Sequence, residues 1–337
     1  MTGLRLDVRV EKFRLAAPFR ISGYVFEEQN LVVVEIGDGE HVGRGEASGV
    51  YYLGDDADHM VAEIERVRAE IEAGITRAAL QHIMPVGGGR NAVDAALWDL
   101  EAKRSGMHVW ELLNMAPLKP LVTTFTLGAE SPTQMAAQAV KFDHAVKIKV
   151  KLTGELDLDI ERVRAIRAAR PEVWLGVDGN QGFDAADLPE LVQELVYNRV
   201  SLLEQPLKRG AEADLDGFKS IIPIAADESI LSLAEVPSLV GRFDVVNIKL
   251  DKCGGLTEAL AIAKAARDLG LGVMVGNMVG TSLGMAPAFL LGQLCDLVDL
   301  DGPIFLAEDR EPGLVYAEGK VWCPEAVWGA PAAMAAA

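Results

Sequence analysis

The sequence predicts an α/β protein in two parts, an N-terminal α+β domain followed by a barrel of the (β/α)8 type. Three observations predict it. Strand-like runs precede helical ones before Pro120, which is the order of an α+β domain. After Pro120, eight short β-branched runs recur, most separated by helical periodicity. Carboxylates and lysines then recur at the ends of those runs, where a parallel barrel gathers them at one mouth. A doubly wound open sheet fits the same alternation and stays open as the alternative.

The elements follow in order. Leu4–Leu15 alternates as a strand, Asn30–Ile36 reads as a second, and His41–Gly49 as a third after the turn Gly37-Asp38-Gly39. Asp58–Ala73 places Met60, Val61, Ile64, Val67 and Ile71 on one helical face. Asn91–Ser105 is a helix with Asn91 as its expected N-cap. The expected barrel strands are Leu121–Phe125, Val146–Leu152, Val173–Val177, Val200–Leu203, Ile221–Ala225, Val245–Leu250, Val273–Val275 and Leu297–Leu300. Ile160–Ala169 and Thr257–Leu269 are the clearest helices between them. The expected boundaries are 1–118, 119–310 and a C-terminal segment 311–337, whose end from Ala330 to Ala337 is expected to fray.

Half of the 337 residues are hydrophobic, which excludes a disordered chain. Against 50 acidic residues stand 32 basic ones, a net charge of −18. Such a surface repels phosphate backbones and anionic lipid, so neither nucleic acid nor a membrane is an expected partner. Cys253, Cys295 and Cys323 are odd in number and contain no C-x-x-C pair. That argues against a disulfide framework and fits a reducing cytoplasm. Met1–Lys12 is charged throughout and has no secretory h-region, so the expected location is cytoplasmic. Residues 269–295 carry no charge, but six glycines, Pro287 and several polar residues interrupt them. They read as a buried strand, a loop and a buried helix rather than a membrane span.

The strand ends carry the chemistry. Strand two holds Lys147, Lys149 and Lys151; strand three ends in Asp178-Gly179-Asn180, strand four in Glu204-Gln205-Pro206 and strand five in Asp227-Glu228-Ser229. Strand six holds Asn247, Lys249, Asp251 and Lys252, and strand eight Asp299 and Asp301. From Lys151 to Asp178, Glu204, Asp227 and Lys249 the steps are 27, 26, 23 and 22 residues, each about one βα unit. A single strand-end carboxylate ordinarily caps the next helix or binds a loop N–H. Three on successive strands form an oxygen-only set that suits Mg²⁺. Inward-facing lysines are costly unless paired or functional. Asp299 and Asp301 share a face and repel, which suggests a site for a cation such as an ammonium; a solvated rim is the plain alternative. All five histidines precede residue 145, leaving lysine as the obvious base. Neither Gly270-Leu271-Gly272 nor Gly87-Gly88-Gly89 has the strand–loop–helix context of a nucleotide site.

Taken together, these motifs resemble the enolase superfamily, in its muconate-lactonizing-enzyme-like subgroup, and within that the dipeptide epimerases of the L-Ala-D/L-Glu type. The matching pieces are Lys149-Val150-Lys151, Asp178-Gly179-Asn180, Glu204-Gln205-Pro206, Ala226–Ser229, Asn247–Lys252 and Asp299–Pro303, with Gly43–Ala47 and Asn91–Lys103 upstream. Lys147-Ile148-Lys149 also fits the K-x-K pattern, but the Lys-Val-Lys-Leu context with Gly154 soon after favours Lys149 and Lys151. The resemblance implies a (β/α)7β TIM-like barrel behind an N-terminal α+β capping domain, with the last residues packing back on the cap. It implies one Mg²⁺ on Asp178, Glu204 and Asp227, acid/base catalysis by Lys151 and Lys249, and support of the substrate carboxylate by Lys149. Asp299 and Asp301 would bind the α-ammonium of a dipeptide substrate. A homo-oligomer is an expectation from the family alone.

The implied reaction is a 1,1-proton transfer. One lysine removes the α-proton of the C-terminal residue, a divalent ion offsets the charge gained by the enolate, and the other lysine returns a proton on the opposite face. A lysine pKa lowered by Mg²⁺ and neighbouring lysines is expected. The sequence departs from the family in one place. Members selective for Ala-Glu carry an arginine in the loop after the first strand, whereas this chain reads Ile21-Ser22-Gly23-Tyr24-Val25-Phe26, with Arg20 earlier and Tyr51-Tyr52-Leu53 in the second cap loop. An apolar or aromatic C-terminal side chain, met by Tyr24, Phe26 and Tyr51, is the resulting expectation. Cycloisomerases, o-succinylbenzoate synthases and N-acylamino-acid racemases would share the lysines and metal site, but the Asp299/Asp301 pair argues against them. A non-catalytic binding barrel is the remaining alternative.

Overall fold

A computed structural model describes residues 3–21 and 24–332 of the chain. Strands β1 (Arg5–Ile21), β2 (Tyr24–Gly37) and β3 (Val42–Ala47) form an antiparallel sheet in that order. Helices α1 (Ala57–Arg66), α2 (Arg68–Glu72), α3 (Arg77–Ile83), α4 (Gly88–Ser105) and α5 (Val109–Leu112) follow. Val32, Val34 and Ile36 of β2 pack with Met60, Ile64, Leu80 and Leu100 in the core of this cap. Helix α4 lies so close to β3 that a Cβ on Gly43 or Gly45 would come within 2.1 Å of a backbone oxygen.

Three details of the cap differ from expectation. The β1–β2 hairpin runs past Leu15 and begins again before Asn30: after an irregularity between Arg14 and Phe19, the pairs Phe19↔Phe26, Arg20↔Val25 and Ile21↔Tyr24 continue the ladder. Ala16-Ala17-Pro18 interrupts the alternation there, and Pro18 has no N–H to donate. Tyr24 and Phe26 are therefore strand residues; Ser22 and Gly23 lie outside the described residues. The helix expected over Asp58–Ala73 breaks at Val67. Helix α4 starts at Gly88 with Gly87 at its N-cap, and Asn91 is buried inside it.

A short β4 (Leu121–Val122) leads into eight parallel strands. These are β5 (Phe125–Leu127), β6 (Lys147–Lys151), β7 (Trp174–Asp178), β8 (Leu202–Glu204), β9 (Ile224–Ala226), β10 (Val245–Ile248), β11 (Gly272–Val275) and β12 (Leu297–Val298). Their spatial order is their chain order, without the reversal that a doubly wound sheet needs. Where the edges meet, Thr124 N donates to Val298 O at 3.0 Å and Leu300 N to Thr123 Oγ1 at 2.9 Å. The fold is the (β/α)7β TIM-like barrel with an N-terminal α+β cap. Helices α6 (Pro132–Lys141), α7 (Leu156–Ala169), α8 (Leu188–Tyr197), α9 (Leu250–Cys253), α10 (Leu256–Asp268) and α11 (Ser282–Gly292) fill most crossovers. Those after β8 and β9 hold only 3-10 turns, the second interrupted by Pro237. The first barrel strand lies later than Leu121, because β4 pairs instead with β14 (Lys320–Trp322) of a C-terminal hairpin with β13 (Val315–Ala317). Beyond it, Trp328 Nε1 reaches Arg44 O and Ala95 O, both at 3.1 Å, and Gly329 N donates to Asp99 at 2.9 Å.

Below the mouth the barrel is plugged. Leu202, Ala225, Val245 and Met274 form a buried cluster, with Trp174 and Leu297 against it. A Cβ on Gly176 would stand 2.8 Å from the Trp174 ring, so this glycine makes room for the indole. Lys147 sits at this level, its ammonium 5.4 Å over that ring. It shares parity with Lys149 and Lys151 but not their neighbours.

Candidate active site

Parallel register builds the site. Lys151 on β6 is opposite Asp178 on β7, which is opposite Glu204 on β8. Asp227 follows the last residue of β9, and Lys249 the last of β10. Ligand oxygens of Asp178, Glu204 and Asp227 all lie within 4.8 Å of one another, and all three residues are buried. Lys151 Nζ donates to Asp178 Oδ2 at 2.6 Å, and Lys249 Nζ to Asp227 Oδ2 at 2.6 Å. Lys149 Nζ lies 3.3 Å from Asp178, 2.8 Å from Glu204 and 2.8 Å from Asp299. The lysines are thus spread around the carboxylates, not paired one to one.

Several strand-end neighbours, named in the sequence motifs without a role, join them. Lys252, buried among these groups, donates to the backbone and side-chain oxygens of Asp227 and to Asn247 O. Asn247 Nδ2 donates to Glu204 Oε1 at 2.8 Å. Gln205 Oε1 accepts from Asp227 N at 2.9 Å and Ser229 N at 3.1 Å, bracing the ends of β8 and β9. Glu228, beside Asp227, has a buried oxygen without a hydrogen-bond partner. The motifs contain these residues, but only the fold shows which way each side chain turns.

The charges do not balance. Six buried carboxyl groups (Asp178, Glu204, Asp227, Glu228, Asp299 and Asp301) face four buried lysines (Lys149, Lys151, Lys249 and Lys252), a formal excess of two negative charges. Burial and neighbouring carboxylates push Glu204 up to about 7, Glu228 to about 8 and Asp301 to about 7. Burial opposes ionisation of Asp178 and Asp227 too, but nearby lysines outweigh it and hold both below the usual range. A lysine pKa lowered by its surroundings, as expected for a base, is not what the protein's own charges produce at Lys149 and Lys249. Burial would lower both; the carboxylates outweigh it and raise them. A divalent cation fits this set on two grounds: three hard oxygen donors within reach of one another, and a formal excess of two negative charges that the lysines leave unmatched.

Above these groups lies a cavity of about 80 Å³. Lys149, Lys151, Lys249, Asp299 and Asp301 all border it. Asp299 accepts from Lys149 at 2.8 Å and from the Thr124 hydroxyl, and Asp301 accepts from Thr126 N at 2.6 Å. Three strands round the barrel, beside Asp227 and Glu228, the cap supplies Phe26, Tyr51 and Tyr52 to the wall. Tyr52 Oη, Asn180 Oδ1 and Asn277 Oδ1 are buried there without partners. Tyr24 is not on the wall. It is 45% exposed and packs behind, its ring centroid 4.5 Å from Tyr51 and 6.1 Å from Phe26. Arg20 also stays off the wall, 3.1 Å from Glu130. Among the described residues, no histidine borders the cavity.

Residues 5–114 match the mandelate racemase / muconate lactonizing enzyme N-terminal domain, and residues 133–327 the enolase C-terminal domain-like family. The chain belongs to the enolase superfamily. The L-Ala-D/L-Glu epimerase of Escherichia coli (strain K12) is 38% identical over 92% of this chain and 97% of its own length. The N-acetyl-D-glutamate racemase of a Pseudoalteromonas species is also 38% identical, over 86% of this chain and 92% of its own. Among solved structures, an enolase family member from Agrobacterium tumefaciens, with homology to dipeptide epimerases and bound L-Ala-L-Glu, is 40% identical with a TM-score of 0.92. The match covers 97% of this chain and 100% of that one. The dipeptide epimerase of Methylococcus capsulatus, complexed with Mg and L-Arg-D-Lys, is 30% identical with a TM-score of 0.88, covering 95% and 97%. The named epimerases and the racemase are isomerases acting on amino-acid derivatives, and so is this superfamily member.

Proposed function

We propose that this enzyme is a dipeptide epimerase that inverts the α-carbon of the C-terminal residue by proton transfer between Lys151 and Lys249. The carrying observation is that these two lysines border one cavity yet bond different members of the carboxylate triad, Asp178 and Asp227. Two bases on one carbon are what a 1,1-transfer needs. Asp178, Glu204 and Asp227 would hold Mg²⁺, which when bound supplies Lewis-acid stabilisation of charge on the substrate carboxylate. Lys149, central among the carboxylates, orients that carboxylate. Asp301, anchored by Thr126 N, takes the α-ammonium alongside Asp299. One lysine, neutral, takes the α-proton on its Nζ; the other, charged, delivers a proton to the opposite face.

The C-terminal side chain is apolar or aromatic in this reading. Phe26 and Tyr51 line the cavity with ring centroids 5.1 Å apart, and Arg20 is engaged elsewhere. A panel of L-Ala-L-X dipeptides, scored by kcat/KM, tests this: Phe, Tyr or Leu at X should exceed Glu, and a maximum at Glu would overturn it. The relative named N-acetyl-D-glutamate racemase favours a second reading, in which an N-acylglutamate is the substrate. Turnover of N-acetylglutamate above all dipeptides would establish it. The enzyme is expected to act on small molecules, in the cytoplasm and as a homo-oligomer; among the described residues, no helix is long and apolar enough to cross a membrane.

A further inference from the structure

The cap hairpin divides its aromatic residues between two places. Phe19 and Phe26 are register partners on one rung, and so project to the same face. Phe26 meets Tyr51, whereas Phe19 meets Phe305, ring centroids 4.6 Å apart and tilted by 48°. Phe305 closes the 3-10 turn Gly302–Phe305 that starts directly after Asp301. The Phe19–Phe305 pair therefore stands beside the two aspartates. Behind it is a second cavity of about 220 Å³, and Phe19, Thr126 and Phe305 line both. Its far side is mixed and reaches the surface: Ala16, Ala17, Phe142 and Ile304 stand there with Arg20, Glu130, Gln138 and Lys141. The hairpin is stitched to the barrel on either side of Phe19, by Ala307 N to Arg14 O at 2.8 Å and Ala129 N to Arg20 O at 3.1 Å. Phe19 is thus part of a fixed wall.

We propose that the Phe19–Phe305 pair limits the N-terminal residue of the peptide to a small side chain, and that the cavity behind it is a subsite for a larger one that the pair shuts off from the aspartates. The inference rests on the dipeptide reading, because it is the α-ammonium on Asp299 and Asp301 that places the N-terminal side chain against this wall. Thr126 ties the two together: its N–H holds Asp301 while its side of β5 borders both cavities.

The test compares kcat/KM for L-Leu-L-X and L-Ala-L-X, with X held at the residue the wild-type enzyme turns over best. Wild type should favour Ala by about tenfold or more, the scale on which an apolar pocket distinguishes side-chain size. Phe305→Ala and Phe19→Ala should each shrink that preference about tenfold through a rise on the Leu substrate. Phe305→Leu, a milder change that guards against misfolding, should move it the same way by less. An unchanged ratio in all three variants, or wild-type turnover of Leu equal to Ala, overturns the wall while leaving the dipeptide reading intact. Wild-type failure on every dipeptide overturns that reading and the wall with it.

Discussion

At the residue scale, Asp301 is the most informative side chain. Burial, with Asp299 beside it, pushes its carboxyl up to about 7. A cationic group nearby would relieve that cost. Asp301→Asn should therefore lower kcat/KM for dipeptides about a hundredfold, with Mg²⁺ affinity and circular dichroism unchanged. Unaltered dipeptide turnover would point to a substrate without a free ammonium. Glu204 offers a second test. Glu204→Gln should reduce the rise in melting temperature on adding Mg²⁺, a readout that needs no catalysis; an undiminished rise would remove Glu204 from the metal site. Lys151, Asp178, Glu204, Asp227 and Lys249 stood out in the sequence because each stands about one βα unit from the next, and Lys149 because it shares a strand face with Lys151. Lys252 and Glu228 did not, since neighbours in sequence at a strand end turn to different sides and only the folded loop decides which.

At the element scale, the cap loop and the β10 loop are coupled through one carboxylate. Asp251, two residues after Lys249, accepts from Ser48 N at 2.9 Å and Gly49 N at 3.2 Å. Those residues lead directly into Tyr51 and Tyr52, and Ser48 Oγ donates to Val279 O beside the same cavity. Asp251→Ala would leave two buried N–H groups without acceptors, a loss of about 1–3 kcal/mol in stability. It should also raise KM more than it lowers kcat, because the wall moves while the lysines stay. Equal changes in both would contradict that coupling. The barrel strands after the first were readable because each is a short buried apolar run, whereas the first was expected too early, at Leu121–Phe125. The hairpin tip was not readable, since Ala16-Ala17-Pro18 breaks the alternation and Tyr24 and Val25 are exposed. That tip carries Phe19 and Phe26, so the part of the fold hardest to read is the part that shapes the cavity.

At the scale of the whole molecule, cap and barrel meet through buried carboxylates. Asp94 of α4 accepts from Thr257 N at 3.0 Å and Oγ1 at 2.6 Å at the start of α10. Burial pushes its carboxyl up to about 6 from 3.8. A raised carboxyl pKa means that the folded state binds more protons than the unfolded one in that interval, so this group's contribution falls as pH rises from about 4 to about 6. The stability of Asp94→Asn relative to wild type should therefore improve over that range, by roughly 2–3 kcal/mol, in denaturant titrations at successive pH values. A pH-independent difference would show that Asp94 stays ionised. The two-part organisation was visible in the order of strands and helices, whereas the pairing of β4 with the C-terminal hairpin was not, because it joins segments about 200 residues apart. The central claim is that Lys151 and Lys249 exchange the α-proton of a dipeptide from opposite faces. The most direct test is mass-spectrometric α-deuterium uptake in D₂O with Mg²⁺, using separate L,L- and L,D-dipeptides and the variants Lys151→Ala and Lys249→Ala. Wild type should label both epimers and lose labelling when Mg²⁺ is removed, while each variant should fail to epimerise and any residual exchange should be confined to one epimer, a different one for each lysine. Labelling of both epimers by either variant would contradict the two-base account.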